Sequence, residues 1–165
     1  MFCLWDDKSP PKDFKELNYI YWNKSFSLKN SSLSIPDILE KNSDKYKSNY
    51  LEFVLKLGLS KNNDESVIDI LELKPGFSFW WMTLISEKSN WAKSPQINNI
   101  LKLMVLEDWL NDNECSTLFI NTSDFELLKS LGQLCQLKGI KLICLKKKNF
   151  IFSQIKVIFR NKFFY

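Results

Sequence analysis

The chain has 165 residues, of which 45% are hydrophobic and 25% are charged, and its net charge is +4. This composition is typical of one folded domain, and it excludes collagen-like and intrinsically disordered chains. Histidine is absent, which excludes Ser-His-Asp and Cys-His catalysis, imidazole metal sites and pH sensing by histidine.

The positive charge is concentrated at the end of the chain. Residues 146–165 contain six basic residues and no acidic one, which leaves the preceding residues with a net charge of −2. A basic tail with interleaved phenylalanines can contact anionic lipid or nucleic acid. The simpler interpretation is an amphipathic helix that packs on a further domain. No nucleic-acid partner is expected, because the rest of the chain is slightly negative and has no recognition-helix pattern.

The four cysteines indicate a reduced, cytoplasmic protein. Cys3, Cys115, Cys135 and Cys144 form no Cys-x-x-Cys pair, so we expect no zinc site and no cofactor. The N-terminus lacks a basic segment followed by an apolar one. The longest apolar stretch, residues 77–85, is far short of the ~20 residues that a membrane helix needs. We therefore expect a cytoplasmic location, with peripheral contact at the inner face of the membrane as an alternative.

Local patterns predict a strand and two helices in the first part of the chain. The strand covers residues 2–5, and residues 34–37 form a helix start. A stronger helix covers residues 46–57, where apolar side chains recur at three- and four-residue spacing. Gly58 follows at the position where a helix commonly ends on a left-handed residue.

The pattern predicts secondary structure less clearly for residues 67–73 than for the helix that follows residue 94. Residues 67–73 are ambiguous between strand and helix, because β-branched residues alternate with acids. Ser94 and Pro95 give a definite helix start, with serine as the cap and proline at the first helical position. This helix is expected to end near residues 111–113.

A strand, a helix and a second strand follow one another in residues 117–145. The strands cover residues 117–120 and 140–145, and a leucine-rich helical stripe lies between them. Ser123 and Glu126 predict a capping box at the start of the helix, and Gly139 closes it. These elements form a βαβ unit.

The turn that opens this helix carries no phosphate-binding signature. Residues 121–124 lack glycine and end in an acid, whose charge would repel a phosphate at the helix start. We interpret the unit as scaffold rather than as a nucleotide site. The chain as a whole is predicted to be α/β, with a small, mainly parallel sheet flanked by helices.

Residues 80–95 are the chemically unusual segment, since three tryptophans flank a charged, hydroxyl-rich stretch. One interpretation is core tryptophans followed by a solvated loop. The other is a carbohydrate site, in which aromatic faces stack on sugar rings and polar groups bind the sugar hydroxyls. Glu87 is then the candidate catalytic base. Lys88 and Lys93 could neutralise a phosphate or a sugar carboxylate.

The same segment supports a family resemblance. It reads W-W-x-T-L-x-x-E-K-S-x-W-x-K-S-P, followed by I-x-x-I-L-K-L-x-x-L-E, and it resembles the N-terminal region of bacterial surface carbohydrate biosynthesis proteins. These are similar to two-lobed glycosyltransferases with two Rossmann-like lobes. The resemblance implies Glu87 as the catalytic residue. It also implies a set of substrate-binding residues, which are Trp80, Trp81, Lys88, Ser89, Lys93 and Ser94.

The resemblance also implies how the chain is organised. Residues 1–149 would form a Rossmann-like, acceptor-binding N-terminal lobe, and residues 150–165 would be a linker or the start of a second lobe. We expect a truncated or split glycosyltransferase with little activity alone, whose partners are a second lobe or subunit and a sugar acceptor. The alternative is a non-catalytic module that docks on a protein or an anionic membrane through the basic tail.

Overall fold

The computed structural model describes residues 1–7, 17–25, 33–87 and 93–145. In chain order the elements are β1 (Phe2–Trp5), β2 (Asn18–Tyr21), β3 (Leu33–Ser34), α1 (Ile35–Lys41), α2 (Ser43–Gly58), β4 (Lys61–Asn62), β5 (Glu65–Ser66), α3 (Val67–Ile70), β6 (Glu72–Lys74), β7 (Phe77–Ser78), a 3₁₀ helix (Phe79–Met82), α4 (Pro95–Asp112), β8 (Thr117–Asn121), α5 (Phe125–Leu137) and β9 (Lys141–Cys144).

These elements form two compact units. The sheet unit contains the described residues of Met1–Ser34 and those from Asn113 onward, and the helical unit contains those of Ile35–Asp112. The predicted tail, residues 150–165, lies outside the described residues. No helix in the described ranges is long and apolar enough to cross a membrane.

The sheet unit is built on five parallel strands in the order β3-β2-β1-β8-β9. The predicted α/β class and the parallel sheet are therefore confirmed. From β1 the chain adds strands first on one side and then on the other, which is the arrangement of Rossmann-like sheets. The central strands carry the core, because Leu4, Ile20, Leu118 and Ile120 are fully buried.

The predicted βαβ unit is confirmed as β8, α5 and β9. Leu127, Leu131 and Cys135 form the buried stripe of α5, and Gly139 adopts a positive φ of 67° just after it. Strands that neighbour each other in a parallel sheet need such a crossover, since a tight hairpin can only join antiparallel strands.

The predicted capping box at Ser123 is wrong, because the cap is the following residue. The Asp124 side chain accepts hydrogen bonds from the N–H groups of Glu126 (3.0 Å) and Leu127 (3.1 Å). The helix begins at Phe125, so the side chain that reaches the second and third helical N–H groups belongs to residue 124.

Replacing Asp124 with alanine is therefore expected to destabilise the sheet unit by about 1 kcal/mol, since two N–H groups lose their acceptor. Urea unfolding followed by circular dichroism measures the loss. Asp124→Asn retains an acceptor oxygen and should recover most of the stability. Equal stability of Asp124→Ala and the parent chain would contradict the assignment of the cap.

The helical unit is organised around α2. Tyr46, Tyr50, Val54 and Gly58 recur every four residues and are buried, which confirms the predicted helix. Gly58 does not have the predicted left-handed conformation, because it is the last helical residue. Because Gly58 has no side chain, the indole of Trp80 can pack directly against the helix at this position. A Cβ built there would lie 2.7 Å from Nε1 of Trp80.

Residues 67–73, for which the sequence left strand and helix open, contain the short helix α3 and the beginning of the strand β6. A capping box fixes the start of α3, because Ser66 and Asp69 exchange side-chain and backbone hydrogen bonds. These hydrogen bonds hold the pKa of the Asp69 carboxyl below its usual value. The helix start at Ser94–Pro95 is confirmed, and α4 ends at Asp112, where the sequence predicted its end.

Candidate functional site

The sequence-predicted site lies in the helical unit, on the 3₁₀ helix and on the turns that follow it. Of its residues, Trp80, Trp81, Glu87, Lys93 and Ser94 fall within the described part of the chain. Lys88 and Ser89 lie outside it, as does the third tryptophan of the segment. The structure therefore places five of the seven predicted site residues.

The two adjacent tryptophans have different environments. Trp80 is 6% exposed and packs with its indole edge against Gly58, whereas Trp81 is 50% exposed. The Trp80 Nε1 has no hydrogen-bond partner among the described residues. Trp80 is thus a core residue of the helical unit, and Trp81 is the tryptophan that offers an open ring face.

Hydrogen bonds fix the turn that follows these tryptophans. The carbonyl oxygen of Trp80 accepts from the N–H of Thr83 (3.1 Å), from the hydroxyl of Thr83 (2.7 Å) and from the hydroxyl of Ser86 (2.8 Å). The Tyr50 hydroxyl on α2 donates to the carbonyl of Ile85 at 2.7 Å. The hydroxyl groups of this segment are therefore engaged in shaping the backbone.

The turn ends on an ion pair. The N–H of Glu87 donates to the carbonyl of Thr83 at 3.1 Å, and its carboxylate pairs with the Lys93 ammonium. Both side chains are about half exposed, so water screens the pair and its contribution to stability is at most about 1 kcal/mol. The charges compensate each other, and the carboxylate remains accessible to a hydroxyl group from solution.

Ser94 has the geometry of a helix cap. Its hydroxyl lies 3.5 Å from the N–H of Ile97, near the long limit for a hydrogen bond, and donates to the Gln96 side chain at 3.0 Å. Its carbonyl accepts from the N–H of Asn98. Because the residue is buried, these contacts account for its hydroxyl without a substrate.

Sequence reasoning missed a second group of polar residues, at the carboxyl edge of the sheet. Asp6 follows β1, and its carboxylate accepts from the hydroxyl of Thr122 after β8 at 2.5 Å and from the side chain of Asn23 after β2. The available signal was an acid, Asp6, directly after the first predicted strand and a hydroxyl, Thr122, two residues after the second. The sequence did not predict β2 or the pairing of β1 with β8, so these residues could not be brought together.

Two of the four cysteines, Cys3 and Cys135, are buried and unsuited to act as nucleophiles. Burial raises the pKa of the Cys3 thiol to about 12. Burial also raises the pKa of the Cys135 thiol to about 11, with a smaller contribution from the neighbouring Cys115. Both thiols are therefore protonated at neutral pH and pack as small apolar side chains. Within the described ranges, no three Cys, Asp or Glu residues are grouped as metal ligands.

Comparison with known proteins adds no further constraint on the site. No family model matches the chain, and neither the curated proteins nor the solved structures give a match. Function must therefore be argued from the resemblance of the quoted motif and from the geometry described above.

Proposed function

We propose that this chain is the acceptor-binding, N-terminal lobe of a glycosyltransferase that acts in surface polysaccharide synthesis. The observation that carries the proposal is the half-exposed ring of Trp81 on the 3₁₀ helix, together with the exposed Glu87–Lys93 pair at the end of the hydrogen-bonded turn that follows it. An open aromatic face and an accessible carboxylate within one short segment suit a sugar, which has both C–H faces and hydroxyl groups. The Rossmann-like order of the sheet agrees with such a lobe.

The chemistry follows from these groups. Glu87 accepts the proton of the acceptor hydroxyl as the hydroxyl oxygen forms a bond to the anomeric carbon of the donor, and the bond from that carbon to the leaving phosphate breaks. Lys93 pairs with the carboxylate and compensates its charge before the acceptor arrives. The donor and its leaving phosphate would be held by a second lobe or a partner subunit.

Sugar binding by the chain itself tests the proposal. Calorimetric titration with short bacterial polysaccharide fragments is expected to show binding that Trp81→Ala weakens at least tenfold, because the loss of stacking costs about 1.5 kcal/mol. Trp81→Phe keeps an aromatic face and should recover part of the affinity. Glu87→Gln is expected to weaken binding about fivefold through the loss of a charged acceptor.

Met82 provides the matched control, because it neighbours Trp81 and is also exposed. Met82→Ala should bind as the parent chain does. If Trp81→Ala binds every saccharide with parental affinity, Trp81 is not part of an acceptor site and the proposal loses its structural support.

A further inference from the structure

The hairpin formed by β6 and β7 carries an apolar surface on its solvent side. Exposure alternates along its second strand, with Phe77 at 38%, Ser78 at 4% and Phe79 at 46%. The two phenylalanines therefore face solvent together, while the Ser78 hydroxyl turns inward and donates to the carbonyl of Ile68 at 2.6 Å. Leu73 lies in the register shift of β6, opposite the end of β7, and is 65% exposed.

The 3₁₀ helix that follows β7 extends this surface by one side chain. A 3₁₀ helix has three residues per turn, so side chains three positions apart lie one above the other. Met82, which is 62% exposed, therefore lies on the same side of the helix as Phe79. Trp80 and Trp81 project from its two other sides. We define the hairpin surface by its four exposed apolar side chains, which are Leu73, Phe77, Phe79 and Met82.

The hairpin surface has the size of an interaction site. Together its four side chains expose the equivalent of about two whole side chains, and a buried phenylalanine covers about 150–250 Å², so about 400 Å² of apolar surface is open. Patches of this size mark interaction sites on monomers. One side of a standard protein interface covers about 800 Å², of which a little over half is apolar. The hairpin surface thus supplies the apolar part that one side of a stable dimer needs.

The charges beside the surface indicate which partner it fits. Glu72 and Lys74 on β6 are both exposed, and residues 70–84 contain no other charged side chain. The Glu72 carboxylate accepts from the N–H of Gly76 at 2.7 Å, and the Lys74 ammonium lies 5.6 Å from the ring centroid of Phe77. One acid and one base give no net charge that would attract anionic lipid or nucleic acid. They do suit a two-fold axis, across which residue i meets residue j and j meets i.

We propose that the hairpin surface docks on the same surface of a second copy of this chain, in a two-fold symmetric dimer. Phe79 and Met82 form the apolar centre of the interface. Glu72 of each copy pairs with Lys74 of the other at the rim. The inference goes beyond the proposed function and does not depend on it, because Trp81 projects from a different side of the 3₁₀ helix.

Sedimentation velocity of the full chain from about 1 to about 200 μM tests the proposal, because the dimer gains population with concentration by mass action. The weight-average mass should rise from 19.5 kDa toward twice that value. Phe79→Glu and Met82→Glu each place a charge in the interface and should weaken dimerisation at least tenfold. Leu137→Glu is the matched control, since it adds the same charge at an 85% exposed leucine of the sheet unit and should leave dimerisation unchanged.

A charge swap tests the two-fold arrangement. Lys74→Glu should weaken the dimer, because only carboxylates then meet at the rim. Adding Glu72→Lys to that variant restores opposite charges across the axis and should recover the dimer. Failure of the second substitution to recover it contradicts the proposed ion pairs.

The remaining outcomes decide between a second copy and other partners. A chain that stays monomeric over the whole concentration range overturns the inference, as does a dimer that both Phe79→Glu and Met82→Glu leave intact. Co-sedimentation of a monomeric chain with phosphatidylcholine vesicles assigns the surface to lipid instead. Circular dichroism melts confirm that each variant is folded.

The dimer and the acceptor site can fail separately. Trp81→Ala should leave the sedimenting mass unchanged, and Phe79→Glu should leave saccharide binding unchanged. Loss of dimerisation in Trp81→Ala would place that ring in the interface and overturn the assignment of the hairpin surface.

Discussion

Replacement of Gly58 with alanine is expected to destabilise the protein by about 1–3 kcal/mol, although the same change in an open helix is stabilising. A Cβ at this position would lie 2.7 Å from Nε1 and 2.9 Å from Cε2 of Trp80, and 3.0 Å from Cδ1 of Ile68. Carbon atoms do not approach rigid rings this closely. The indole must therefore move, and its packing between α2 and α3 is lost.

Gly132 supplies the matched control for this prediction. It lies inside α5, and a Cβ built there meets nothing within 4 Å. Gly132→Ala should therefore stabilise the protein by about 0.5–1 kcal/mol, through the helix propensity of alanine and the lower entropy of the unfolded chain. Urea unfolding of both variants measures the difference. If Gly58→Ala is as stabilising as Gly132→Ala, the close contact between Gly58 and Trp80 is not real.

The conformations of Gly139 and Gly58 show which features of a helix end the sequence can predict. The sequence predicts that a glycine at the end of a helical pattern adopts a left-handed cap, and this is correct for Gly139. Gly58 has the same sequence pattern, but it is the last residue of the helix, and its missing side chain leaves room for the indole of Trp80. A contact between residues this far apart has no local signal.

The elements that the sequence predicted well are those with strong local patterns. The βαβ unit has a clear period and closing turns, and α4 begins at an explicit serine and proline. The strands β2 and β3 were missed, since they are short, carry few β-branched residues and depend on pairing with β1. Without them the order of the sheet could not be predicted.

The candidate sites also contain contacts that local sequence patterns cannot predict. The spacing of Glu87 and Lys93 placed both residues in one polar segment, and the structure joins them in an ion pair. The contact between Asp6 and Thr122 depends on the pairing of β1 with β8, and it joins residues 116 positions apart in the chain. Local patterns carry no information about such a pairing.

The two tandem tryptophans illustrate the point most directly. The family resemblance implied a sugar-binding role for both, whereas the structure gives them different surroundings. The indole of Trp80 packs against Gly58. The carbonyl oxygen of Trp80 accepts hydrogen bonds from the hydroxyls of Thr83 and Ser86. Trp81 exposes half of its surface. A ring can serve as a binding platform only where it is accessible, and a buried ring contributes to stability instead.

Trp80→Ala is accordingly expected to cost about 3–5 kcal/mol of unfolding free energy, from lost apolar burial and from the cavity left beside Gly58. Trp81→Ala should change stability by less than about 1 kcal/mol, because its exposed ring gains little from folding. Thermal and urea unfolding of the two variants, followed by circular dichroism at a wavelength that reports helix, gives the comparison. Similar losses for both variants would mean that both rings are packed, and the open ring face that the proposed acceptor site requires would not exist. A large loss confined to Trp80→Ala separates the residue that supports the turn from the residue whose ring is open to solvent.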